Sequence, residues 1–94
     1  MPETTGPAWA DEVASQVVTA IGEFARGGRT SIVPSDQLER DLGIDSLEFV
    51  RLVQLIEEAT DIVLDDRETA GVSTVADLVA VVRQAIKSKP VPTA

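Results

Sequence analysis

The run Asp41-Leu42-Gly43-Ile44-Asp45-Ser46-Leu47-Glu48 sets one hydroxyl among three carboxylates, straight after a glycine-containing loop. A serine hydroxyl is a poor nucleophile unless a neighbouring base activates it. The chain has no histidine and no cysteine. That removes Ser-His pairs, thiolate nucleophiles, and metal binding through imidazole or thiolate. Its only lysines, Lys87 and Lys89, fall in a tail-like C-terminal segment. No catalytic residue and no metal ligand set is therefore assigned, and an independent enzyme is disfavoured. Ser46 suits a different role: a hydroxyl displayed at the start of a helix for another enzyme to modify.

Charge reinforces that reading by its location. The span 36–68 holds eleven acids and three bases, so it carries the whole net charge of −8, while the rest of the chain balances. A one-signed surface beside Ser46 opposes nucleic acid and anionic membrane. It favours basic protein surfaces, steering encounter and partner choice more than final affinity.

The elements that must position Ser46 are helices. The chain's 94 residues, 44% of them hydrophobic, allow one small domain with an aliphatic core. Residues 1–7, with two prolines and a glycine, read as a disordered tail. Trp9, Val13, Val17, Ile21 and Phe24 draw one stripe at helical spacing and predict a helix over 8–26, stopped by Gly27-Gly28. A long connection follows. Within it, Asp36 and Glu39 stand at capping-box spacing, and Leu38, Leu42 and Ile44 are expected to hold the segment to the core.

The second helix is predicted over 46–60, with Asp45 as N-cap and Glu48 reaching back. Leu47, Val50, Val53 and Ile56 form its expected core stripe, widened by Leu52, Leu55 and Ala59. Glu48, Arg51, Gln54, Glu57 and Glu58 form its wet side. Ile62-Val63-Leu64 reads as an apolar plug between helices. A short element is expected over 66–70. A last helix follows, with Thr74 and Asp77 as its capping pair and Val75, Leu78, Val79, Val82 and Ile86 as its apolar side. The helical domain is expected to span 8–87, and 88–94 to form a flexible tail. The N-terminus lacks the basic start and apolar run of a signal peptide, and no run reaches membrane-spanning length. A cytoplasmic monomer is the expectation.

Asp45-Ser46-Leu47, preceded by Leu42-Gly43-Ile44, resembles the attachment motif of acyl carrier proteins. The likeness extends to Ile56-Glu57-Glu58 and to Ser73-Thr74-Val75-Ala76-Asp77-Leu78, and covers roughly residues 9–86. It implies an all-α four-helix bundle, three helices longer and one short, with a long loop between the first two. It implies a 4'-phosphopantetheine arm on Ser46, flanked by Asp45 and Leu47, placed there from coenzyme A by a phosphopantetheinyl transferase. The arm's thiol would hold acyl groups as thioesters, and the carrier itself would catalyse nothing. Ketosynthases, acyltransferases or acyl-loading enzymes with basic docking surfaces are the implied partners. Glu48, Val50, Arg51, Glu57 and Glu58 are the implied docking residues; Leu47 and Val50 are the candidates for apolar partner contact, and Val50 has an equal claim to a core role.

Two positions depart from the commonest pattern of that family. Arg51 stands where carriers of fatty acid synthesis commonly have an acid, and Thr60 where many relatives have a bulky aromatic. Both tilt the expectation towards a freestanding carrier of polyketide or related secondary metabolism. Two alternatives stand beside it. One is an aminoacyl or peptidyl-type carrier, although the acidic motif differs from the usual Gly-Gly-x-Ser of the latter. The other is an acidic helical interaction module without a prosthetic group.

Overall fold

The computed structural model describes residues 10–25 and 32–88. Trp9, Arg26, Gly27-Gly28, Lys89, the expected N-terminal tail 1–7 and the expected C-terminal tail beyond Ser88 lie outside the described residues. The fold is all-α: helices α1 (Glu12–Gly22), α2 (Ser46–Thr60), α3 (Asp66–Thr69) and α4 (Val75–Ser88), with a long connection between α1 and α2. No strand occurs among the described residues, only a single antiparallel bridge between Gln37 and Thr74.

Helix α1 is shorter than the apolar stripe implies. Asp11 is its N-cap, accepting a bond from Ala14 N–H at 3.0 Å, so the helix begins at Glu12 rather than at residue 8. Short-sided aspartate satisfies one of the orphan donors of the first turn, and that local bond decides the boundary. The same carboxylate pairs with Arg83 of α4. Arg83 chiefly, and then the Ala14 N–H, hold the Asp11 carboxyl below its ordinary value. The last turn of α1 tightens through Phe24 N–H bonding to Ile21 C=O. Phe24 therefore packs on the core from just beyond the helix end.

The core is a set of aliphatic side chains drawn from three helices and the connection. Val17 and Ile21 of α1, Leu52 and Ile56 of α2, and Val75, Leu78 and Val82 of α4 are fully buried, as is Leu42 of the connection. Burying one such side chain stabilises a fold by about 1.5–3 kcal/mol. α1 packs against both α2 and α4, and the short α3 packs on α4.

The second half of the connection is tied down where it begins. Leu38 N–H bonds to Ser73 C=O, Val75 N–H to Asp36 C=O and Ala76 N–H to Pro34 C=O, each at 2.9 Å. These bonds place the connection against the start of α4 and leave Leu38, Leu42 and Ile44 buried, as their apolar spacing implied. The expected Asp36–Glu39 capping box does not form. Asp36 is itself buried and turns back to accept from Val33 N–H at 2.9 Å. Helical bonding instead begins at Gln37, whose N–H bonds to the Asp41 carboxylate at 2.7 Å and whose C=O accepts from Asp41 N–H at 2.9 Å.

Ile62-Val63-Leu64 is only partly a plug. Ile62 and Leu64 are buried, but Val63 is 84% exposed, because an extended segment sends alternate side chains to opposite sides. At α4, Thr74 Oγ1 accepts from Asp77 N–H, and the Asp77 carboxylate accepts from the N–H groups of Ser73 and Thr74. That is the reciprocal cap the sequence implied, with aspartate in the glutamate position. Those bonds, Ser73's first and Thr74's next, hold the Asp77 carboxyl below its ordinary value.

Candidate functional site

Ser46 occupies the first position of α2 and is exposed. Three local features put it there. Gly43 has φ 71°, in the left-handed region that only glycine enters at little cost, and its N–H bonds to Glu39 C=O. This ends the preceding helical turn and redirects the chain. Leu42 and Ile44 on either side are buried, which fixes the height of the turn against the core. Asp45 then caps α2: its carboxylate accepts from Glu48 N–H at 2.8 Å, and Glu48 Oε1 accepts from Asp45 N–H at 3.2 Å. Both halves of the expected capping box are present.

The Ser46 hydroxyl takes no part in this network. Among the described residues it makes no hydrogen bond, and neither the Ser46 nor the Leu47 N–H has an acceptor. Free N–H groups at a helix start favour an anion placed on the neighbouring hydroxyl. The residues thus fit a phosphate ester on Ser46: the hydroxyl is accessible, and removing its proton breaks no structural bond.

Beside Ser46 lies an open cleft of about 710 Å³. Leu38 and Ile44 from the connection, Phe49 and Val50 from α2, and Ala70 and Val72 from the segment after α3 supply its apolar lining. Arg40, Asp66, Thr69 and Ser73 add polar groups. Helical periodicity does not reveal this cleft, because its walls come from three segments distant in sequence. The one available signal was the apolar spacing of Leu38, Leu42 and Ile44, which located the connection but not the space beside it.

The remaining singled-out residues divide. Leu47 and Val50 do not join the core: they are 67% and 54% exposed, and Ala59 is exposed too. The core line of α2 runs instead through Leu52 and Ile56, with Phe49, Val53 and Leu55 half-buried against it. On a helix of 3.6 residues per turn, Leu47 points away from Leu52 and Ile56, so the apolar set is two-sided. Arg51 and Glu58 are exposed. Glu57 is half-buried, and its carboxylate accepts from Leu64 N–H at 2.7 Å, bracing the turn that follows α2.

Residues 15–82 match the family described as the phosphopantetheine attachment site. Over 69 residues, 73% of this chain and 86% of the relative, the sequence is 33% identical to an acyl carrier protein of Prochlorococcus marinus (strain MIT 9515). The matched segment contains the capped start of α2, the cleft and most of the core, so fold and site fall within one region of similarity. The chain belongs to the acyl carrier protein family, whose defining group is a covalently attached 4'-phosphopantetheine.

Proposed function

We propose that Ser46 is the attachment residue and that the chain carries acyl intermediates of polyketide or related secondary metabolism. The observation that carries the first half is the unengaged Ser46 hydroxyl at the first position of a capped helix. When attached, the prosthetic group supplies a terminal thiol that holds acyl cargo as a thioester. Everything else is done by the chain. Gly43 and the Asp45–Glu48 box hold the serine outward, and the free N–H groups of Ser46 and Leu47 offset phosphate charge. Leu47 and Val50 offer apolar contact to a docking enzyme immediately beside the serine, with Arg51, Glu58, Glu48 and Glu57 along the same helix.

A phosphopantetheinyl transferase using coenzyme A modifies the chain in this reading. A ketosynthase, an acyltransferase or an acyl-loading enzyme then docks on α2. The chain works as a monomer in the cytoplasm. Among the described residues no helix is long and apolar enough to cross a membrane.

Arg51 and Thr60 support the second half. Arg51 places a cation on the exposed side of α2, where a uniformly basic partner surface meets repulsion. Thr60 ends α2 with a half-buried hydroxyl that donates to Ile56 C=O at 2.6 Å, a polar group in place of aromatic bulk.

The test compares condensing enzymes. The modified chain, loaded with one malonyl group, is offered to a ketosynthase of polyketide synthesis and to one of fatty acid synthesis. At least a tenfold higher kcat/KM with the former is expected. The reverse preference contradicts the pathway assignment.

A further inference from the structure

The outward face of α2 is not the uniformly acidic surface that the local charge count implies. Leu47, Arg51, Gln54 and Glu58 recur at i, i+4, i+7 and i+11, so they form one stripe, and all four are exposed. Its only charges are Arg51 and Glu58, one of each sign. The other carboxylates of the helix are turned to the backbone: Glu48 closes the capping box and Glu57 binds Leu64 N–H. Among the described residues Arg51 makes no ion pair and no hydrogen bond, so its charge is available to a partner. At 1.5 Å of rise per residue, Arg51 lies about 6 Å along the axis from Leu47 and about 10 Å before Glu58.

We propose that the enzyme docking on this helix carries a carboxylate set about 6 Å along the helix axis from the apolar pocket that receives Leu47, with a base about 10 Å further on. The inference rests on the carrier reading given above. Charge complementarity is what selects the occupant. A basic side chain opposite Arg51 buries like charges together, which is costly and suppresses the wrong partner. A carboxylate there makes a bidentate pair with the planar guanidinium. The stripe thus encodes an ordered footprint, apolar, then acidic, then basic, rather than a bulk attraction.

A charge-swap cycle tests it. The probe is a purified ketosynthase with a basic carrier-docking rim, together with variants in which each rim Arg or Lys is changed singly to Glu. Dissociation constants are measured for the native chain and for Arg51→Glu, after circular dichroism has established equal helicity. At least one rim variant should bind the native chain about tenfold more tightly than the parent enzyme does, and should bind Arg51→Glu more weakly than the parent does. If every rim reversal shifts both chains in the same direction, the proposal is overturned; absence of binding to all rim variants overturns it as well. The carrier reading is checked separately by the mass gain of the native chain with coenzyme A and a transferase, so its failure is distinguishable.

Discussion

Gly43 shows how a single position sets the site. Its φ of 71° lies where a side chain costs about 1–2 kcal/mol, because Cβ crowds the following carbonyl. Gly43→Ala should therefore lower the unfolding free energy by about that amount and slow modification of the neighbouring serine. Urea denaturation and the rate of phosphopantetheine addition measure the two effects, and an unchanged denaturation midpoint would remove the strain argument. Ser46 itself is structurally idle, since its hydroxyl bonds to nothing among the described residues. Ser46→Ala should keep the melting temperature within about 2 °C, because alanine suits the first helical turn.

Caps decide most at the scale of elements. Asp45→Ala removes the acceptor for Glu48 N–H and should cost about 1 kcal/mol, read as a lower urea midpoint at unchanged slope. Asp77 adds a pH signature. Its carboxyl is held below the ordinary value of 3.8, first by Ser73 N–H and then by Thr74 N–H. A carboxyl with a depressed folded-state value contributes stability above its ordinary value and loses it as the pH falls through the folded one. The stability difference between the native chain and Asp77→Asn should be constant at neutral pH and shrink on acidification below about pH 4. A difference that grows on acidification would contradict the capping role. Boundaries set by short-range chemistry were readable in advance. The box at Asp45 and Glu48 and the pair at Thr74 and Asp77 place α2 and α4 where they occur. Asp11 defeated the same reasoning at α1, because an apolar stripe carries no information about which acid caps it. Asp36 did so in the connection, because its carboxylate turns back to Val33 N–H while its C=O accepts from Val75 N–H of α4, far along the chain. Leu47 and Val50 belong with these: both fit a helical apolar set, and only the packing of Leu52 and Ile56 shows which side of α2 faces inward.

Across the whole molecule, an aliphatic core holds three helices together around a segment that presents one serine. Leu52 sits in that core with no exposure, so Leu52→Ala should destabilise the protein by about 2–5 kcal/mol through lost transfer energy and a residual cavity. A loss under 1 kcal/mol would mean that α2 is not packed as described. The bundle, the exposed serine and the family membership all point to a carrier, and the attachment of the prosthetic group to Ser46 is the claim on which the rest depends. The most direct measurement is the intact mass of the folded protein after incubation with coenzyme A and a broad-specificity phosphopantetheinyl transferase, alongside Ser46→Ala and a control carrier. The account predicts the addition of one phosphopantetheine to the native chain and none to Ser46→Ala. Addition to Ser46→Ala, or no addition to the folded native chain while the control carrier is modified, would contradict it.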